Sequence, residues 1–202
     1  MKRNAGPWPA FVFPLCRIAE MSRRRFLYSL PVLLCASLAF AHTPYRQWKV
    51  YRQRHLLIFA ARTDPAAYDL CEELARLLLE HLPTSRAEAA RAPDVQRIAS
   101  LITTDQADFA LLARDSALAL AQRRGDFADY VPAELRALVE NDKYQLLCRA
   151  EVPKQHAFLV VQVLIEQGGQ WGLTVPNRPA PQADAVPTHD GALAFLRGEK
   201  LE

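Results

Sequence analysis

Three arginine–aspartate pairs recur in this chain, each directly after a run of small or apolar residues. They are Arg62 with Asp64, Arg91 with Asp94, and Arg114 with Asp115. An arginine can hold a carboxylate through two parallel hydrogen bonds, and free backbone N–H groups at a helix start also attract anions. The pattern predicts a binding site for a carboxylate, to which Thr63 and Tyr68 in the first of these stretches would contribute.

The same residue types also fit a purely structural role. Aspartate is a favoured N-cap, so Asp64 and Asp94 can each begin a helix. Arg62 and Arg114 can then be solvated or paired with these acids, which contributes little to stability at a surface. The sequence alone does not decide between the binding site and the structural role.

Other kinds of chemistry lack a basis in the sequence. The histidines are scattered without metal-ligand spacing, no Cys-x-x-Cys occurs, and no acid–base pair or activated nucleophile is evident. No glycine lies between Gly6 and Gly125, so the early strands lack the glycine-rich loop that cradles phosphates or dinucleotides. We therefore expect no catalytic residues, no metal, no cofactor and no enzymatic activity.

The elements that would position the arginines alternate between strands and helices. Apolar runs predict strands, and apolar residues repeating every three or four positions predict amphipathic helices. The predicted strands cover residues 54–61, 86–92 and 107–112, with a hairpin over 135–139 and 144–149. The predicted helices cover 65–82, a stretch from 94, 116–122, a stretch from 153 to the Gly168–Gly169 pair, and 190–197. This order predicts an α/β fold with a mainly parallel sheet covered by helices, and ligands of such sheets bind at the carboxyl ends of the strands.

The N-terminal region resembles a bacterial export signal. Arg23, Arg24 and Arg25 precede a short apolar run that ends in Ala39-Phe40-Ala41, a pattern of basic, apolar and small residues. The paired arginines before Phe26-Leu27 favour the twin-arginine route, and an ordinary secretory signal is the alternative. We expect cleavage between Ala41 and His42 and a periplasmic location.

The signal divides the chain into three parts. Residues 1–20 are expected to be an upstream extension from a mis-called start, 21–41 the signal peptide, and 42–202 a single domain. Six of the 25 lysines and arginines, but only one of the 22 acidic residues, precede the expected cleavage site. The net charge is +3 for the full chain and therefore about −2 for the domain. A nucleic-acid partner is therefore not expected. Cys71 and Cys148 remain after cleavage and would be buried thiols, or a disulfide in an oxidising compartment.

An ordered series of segments resembles the TAXI family, the solute-binding receptors of TRAP transporters. The series comprises Asp108–Asp115, Phe127–Tyr130, Leu135–Leu138, Tyr144–Arg149 and Val186–Leu193. The resemblance runs from about Leu56 to Arg197 and implies a type 2 periplasmic-binding-protein-like fold, here reduced to a single lobe because residues 149–153 leave no room for the second.

The resemblance implies a function in solute binding. It suggests an exported, non-enzymatic protein that binds a small carboxylate or an amino acid and works with a TRAP permease. The alternative is a periplasmic accessory or scaffold protein that binds a protein partner and no small ligand. For that role we expect Tyr130, Trp171 and Phe195 to form an exposed apolar patch.

Overall fold

The computed structural model describes residues 55–180 and 182–199. The predicted extension, the twin-arginine signal with Arg23 and Arg24, and the cleavage site at Ala41 and His42 lie outside the described residues. In the described part of the chain, no helix combines the length and the apolar character needed to cross a membrane.

Five strands and five α-helices make up the described chain. The strands are β1 (Leu57–Ala61), β2 (Glu88–Ala92), β3 (Phe109–Ala113), β4 (Leu135–Glu140) and β5 (Tyr144–Arg149). The helices are α1 (Pro65–His81), α2 (Val95–Thr103), α3 (Arg114–Ala121), α4 (Lys154–Gln167) and α5 (Asp190–Leu196). The predicted elements are therefore all present, in the predicted order.

The strands form one mixed sheet in the order β2-β1-β3-β5-β4. β1 pairs in parallel with both β2 and β3, whereas β5 is antiparallel to both β3 and β4. The α/β class is confirmed, but the expectation of a mainly parallel sheet needs correction because half of the pairings are antiparallel. The reason is the tight β4–β5 hairpin, which places its second strand between β3 and β4.

Helices cover both faces of this sheet. Alternate residues of the strands point to opposite sides, and they divide the core into two clusters. Leu74 and Leu78 of α1 and Leu164 of α4 pack on one side with Ala192 of α5. Ile98 and Ile102 of α2 pack on the other side with Leu120 of α3. The carboxyl ends of β1, β2, β3 and β4 all meet at one edge, which we call the carboxyl edge; the opposite one is the amino edge.

Several predicted boundaries differ from the structure, and two of the differences have a local cause. β2 begins at Glu88 rather than Arg86, because Arg86 has a left-handed φ of 46° after the short 3-10 helix Pro83–Ser85. Helix α3 begins at Arg114 rather than Ser116, so Arg114 and Asp115 form its first turn instead of a loop.

Cys71 and Cys148 are both buried free thiols. The Cys71 thiol donates to the carbonyl oxygen of Ile58 at 3.2 Å. Burial raises the pKa of Cys71 to about 12 and also raises the pKa of Cys148. Of the two alternatives left open by the sequence, the structure shows the buried thiols.

The last helix is fixed by His189, which is 3% exposed. Its Nδ1 accepts from the backbone N–H of Gly191 at 3.0 Å, and its Nε2 lies 3.0 Å from the carbonyl oxygen of Val152. This arrangement requires the neutral ring, with the proton on Nε2. Gly191 then lets α5 approach α4 closely, since a Cβ at this position would lie 2.8 Å from the Cβ of Ala157.

We predict that His189 makes the fold less stable at acid pH. Burial lowers the pKa of His189 below its ordinary value of 6.5, despite the nearby Asp190. The unfolded chain therefore binds the proton first, and the stability that is present above pH 6.5 decreases as the pH falls through the folded-state pKa. Urea unfolding at pH 7.5 and pH 5.0 measures this loss.

The matched variant is His189→Asn, whose side-chain oxygen can still cap α5 but does not titrate. The difference in unfolding free energy between the two pH values should be smaller in His189→Asn than in the wild type. Equal pH dependence in both proteins would contradict the assignment.

Candidate functional site

A cleft of about 490 Å³ opens at the carboxyl edge of the sheet. Its walls are the first turn of α3, the loop that joins β4 to β5, and the chain around residues 184–186. The charged and polar side chains that line it are Arg114, Asp115, Asp142, Lys143, Gln145, Arg178 and Asp184. A solvent-open cleft of this size and polarity can hold a small charged molecule.

An ion pair between a buried carboxylate and a partly buried arginine lies next to this cleft. The Glu140 carboxylate, at the end of β4, is 8% exposed. Arg178 binds it with two parallel hydrogen bonds, from Nη1 to Oε2 at 2.9 Å and from Nη2 to Oε1 at 2.6 Å. Gln145 adds a third, from Nε2 to Oε2 at 2.7 Å. This bidentate geometry is what a buried carboxylate needs to offset its lost hydration.

The ion pair also attaches the chain after α4 to the edge of β4. Residues 174–189 carry Arg178 and form backbone hydrogen bonds with β4 at both ends: Thr174 with Glu140, and Pro187 and His189 with Ala137. The part of this segment between those ends includes Asp184 and contributes one wall of the cleft. The Glu140–Arg178 pair, these backbone hydrogen bonds and the bond from Gln122 to the Ala183 carbonyl together hold that wall.

Arg114 is the cation best placed to meet a ligand. Its guanidinium Nη2 lies 3.9 Å from Glu140 Oε1, and its side chain is 45% exposed. One side of the guanidinium is thus near the buried carboxylate, and the rest of the group is accessible to solvent. Helix α3 begins at this residue without a side-chain cap, so the positive end of the helix adds to the local attraction for an anion.

Lys143 supplies a second accessible cation. The side-chain oxygen of Asn141 accepts from the N–H groups of Lys143 and Tyr144 at 3.0 and 2.7 Å, which fixes the hairpin loop. The Lys143 carbonyl accepts from the Arg114 N–H at 3.0 Å. The Lys143 ammonium lies 4.8 Å from the centre of the Tyr144 ring. Interaction with Tyr144 raises the pKa of Lys143, so the ammonium keeps its charge at neutral pH.

The predicted site residues separate into two groups. Arg114 and Asp115 line the cleft, whereas Arg62, Thr63, Asp64, Tyr68, Arg91 and Asp94 are not among its described lining residues. The carboxyl edge thus carries all three arginine–aspartate pairs, but the cleft includes only the third.

The structural interpretation explains most of the second group. Asp64 accepts from the Ala67 N–H at 3.2 Å and caps α1, and it also accepts from the Tyr144 hydroxyl at 2.9 Å. Asp94 caps α2 by accepting from the Arg97 N–H at 2.7 Å.

Arg91 and Tyr68 interact with each other, and two further residues of this group are at the surface. The Arg91 guanidinium stacks 3.9 Å from the centre of the Tyr68 ring. Arg62 and Thr63 are exposed, and the backbone N–H of Arg62 donates to Ala92.

Sequence reasoning missed the residues that do most to shape the cleft. They are Glu140, Lys143, Gln145 and Arg178. The sequence did carry a signal for Gln145, because a polar residue within an apolar strand predicts a buried amide that requires a partner. The structure agrees, since Gln145 is only 3% exposed. The sequence carried no signal for Arg178, because this residue lies in an irregular stretch 38 residues from Glu140.

The predicted apolar patch is wrong. Tyr130 packs against the cluster under α2 and α3, whereas Trp171 and Phe195 pack against the cluster under α1 and α4. The three side chains therefore lie on opposite faces of the sheet. Each is partly buried, and Phe195 contacts Phe158 edge-on with ring centres 5.9 Å apart.

No protein-family model matches this chain, and no curated protein matches it.

Within residues 55–180 and 182–199, no group of three histidine, cysteine or acidic side chains is placed to hold a metal ion.

We predict that Glu140→Gln strongly destabilises the fold. The amide leaves the partly buried Arg178 guanidinium without its counter-charge, and breaking such a pair costs about 3 kcal/mol. Chemical denaturation at neutral pH measures the change in unfolding free energy.

The matched control is Glu134→Gln. Glu134 also pairs with an arginine, Arg136, at 3.2 Å, but its side chain is 74% exposed. We expect this variant to cost less than about 1 kcal/mol. Equal losses in the two variants would show that the Glu140–Arg178 pair has no special structural role.

Proposed function

We propose that this protein is an exported, non-enzymatic binding protein related to the TAXI receptors of TRAP transporters. Its ligand is a small carboxylate or an amino acid, held in the cleft at the carboxyl edge. The observation that carries the proposal is the placement of two accessible cations, Arg114 and Lys143, beside the start of α3, which no side chain caps.

The fixed charges of the cleft support this ligand class. Glu140 binds Arg178, which leaves the solvent-facing donors of Arg114 and Lys143 for an anion. Asp115, Asp142 and Asp184 also line the cleft. They would repel a ligand with several negative charges and would accept the ammonium group of an amino acid.

The single sheet supports the single-lobe part of the proposal. The described residues build one α/β layer structure with helices on both faces. A cleft bounded by one such sheet leaves part of the ligand in contact with solvent, and so favours weak binding over tight enclosure.

The accessory or scaffold role takes second place. It was expected to use a patch of Tyr130, Trp171 and Phe195, and these side chains lie on two different faces of the sheet. No other observation in the described structure favours that role over carboxylate binding.

Titration calorimetry with succinate and with glutamate tests the binding proposal. We expect binding of at least one of them, weakened about tenfold by Arg114→Ala or Lys143→Ala, because a hydrogen bond to a charged group contributes about 1.5 kcal/mol. The matched control is Arg124→Ala, which removes an exposed arginine outside the cleft lining and should leave the affinity unchanged.

Two outcomes of the calorimetry would contradict the binding proposal. A folded protein that gives no heat with any carboxylate or amino acid would remove the binding proposal. Equal weakening by Arg124→Ala would show that net charge, and not the cleft, accounts for any binding.

The export part of the proposal rests on Arg23, Arg24 and the small residues before His42. In a bacterial host with a periplasm we expect the exported protein to begin at His42. Arg23→Lys with Arg24→Lys should stop export, because the twin-arginine receptor reads the arginines themselves. Continued export of the double variant would favour the ordinary secretory route, and cytoplasmic retention of the wild type would contradict export altogether.

A further inference from the structure

A second cavity, of about 610 Å³, lies at the amino edge of the sheet. It opens between the end of α1, the start of α4 and the chain before β3. It shares no described lining residue with the carboxyl-edge cleft. Nothing in the proposed solute-binding function uses it.

Apolar side chains form the inner surface of this cavity. Phe109 at the start of β3 and Val160 on α4 line it, together with Leu56 before β1. Leu159 on α4 is 37% exposed and extends the apolar surface to the opening. A ligand that fits here gains by removing this surface from water.

Three carboxylates are among the residues that line this cavity. Asp105, Asp108 and Glu151 line the cavity, and Arg149 is the single arginine or lysine among its described lining residues. Arg149 donates to both Asp105 and Glu151, so its charge is already shared between two acids. The four groups together carry a net charge of −2 at neutral pH, which would attract a cation.

Both carboxylates that bind Arg149 remain accessible. The side chain of Asp105 is 70% exposed and that of Glu151 is 65% exposed, whereas Arg149 is only 16% exposed. Each carboxylate has four lone-pair positions, so each can accept from Arg149 and from a second donor together.

Helix ends of both signs lie near this cavity. Helices α1 and α2 end at the amino edge, because they run antiparallel to β1, β2 and β3, and their carboxyl ends carry partial negative charge. The starts of α4 and α5 have the opposite sign, and the α5 N-cap His189 bonds to Val152 of the cavity lining. The carboxylates, and not the helix ends, therefore give the site its negative charge.

We propose that the amino-edge cavity binds an amphipathic cation, a small molecule with one ammonium group and an apolar body. The apolar body packs on Leu56 and Leu159, above the buried Phe109 and Val160. The ammonium group donates to Asp105 and Glu151. The excess of carboxylates in this cavity favours a cation, whereas the accessible cations Arg114 and Lys143 of the carboxyl-edge cleft favour an anion.

The test uses 2-phenylethylamine as the probe and amide NMR shifts of the purified protein as the readout, at pH 7.5. We expect the shifts to concentrate at the residues that line this cavity. Two probes of the same size separate the contributions: uncharged 2-phenylethanol should bind several times more weakly, and the anion phenylacetate more weakly still.

The charge-removing variant is Asp105→Asn with Glu151→Gln. Both side chains are exposed and the amides still accept from Arg149, so the fold should persist. Affinity for the amine should fall about fivefold, the loss expected for two exposed charge contacts. The matched control, Asp69→Asn with Asp129→Asn, removes two exposed charges elsewhere and should leave the affinity unchanged.

Leu159→Ala tests the apolar half independently of the charges. It should weaken the amine about threefold, because it removes apolar surface from the opening. Shifts spread over the whole protein, equal binding of the amine and the alcohol, or equal effects of the two double variants would each overturn the proposal. These outcomes do not depend on whether succinate or glutamate binds at the other edge.

Discussion

The carboxylate of Glu140 is a charge buried at the end of a strand, and the carboxyl edge of this protein depends on how that charge is compensated. A buried carboxylate is costly unless it is paired and hydrogen-bonded. Arg178 and Gln145 meet both requirements with hydrogen bonds of 2.6 to 2.9 Å. The pairing helps to hold residues 174–189 against β4. This segment supplies a wall of the cleft, pairs with β4 at Thr188 and leads directly into α5. The same carboxylate lies near Arg114.

The two ends of the sheet differ in the charges that are accessible to a ligand. Helices α1, α2 and α3 follow parallel strands, so they begin at the carboxyl edge with aligned dipoles, whereas α4 begins at the amino edge and opposes them. The side chains therefore make the difference. Arg114 and Lys143 are accessible cations in a cleft whose three cations and three aspartates balance, whereas Asp105 and Glu151 belong to a cavity with an excess of acids. The two proposals accordingly assign an anion to one end of the fold and a cation to the other.

Local sequence signals predicted the elements well because their causes are local. Asp64 and Pro65 begin α1 by capping and by a fixed φ, and Pro83 ends it. The pairing of strands depends on contacts between distant residues, and so the insertion of β5 between β3 and β4 was missed. The site shows the same division. Asp64 and Asp94 are caps, as the structural interpretation had allowed. The Glu140–Arg178 pair joins two segments whose proximity exists only in the folded chain.

The central claim is that a small carboxylate binds between Arg114 and Lys143 at the carboxyl edge. A crystal structure of the protein grown with saturating glutamate or succinate tests it most directly. The account predicts ligand density in the cleft, with the carboxylate within hydrogen-bonding distance of Arg114 and the Glu140–Arg178 pair intact beneath it. An empty cleft at saturating ligand, or a ligand held elsewhere on the protein, would contradict it.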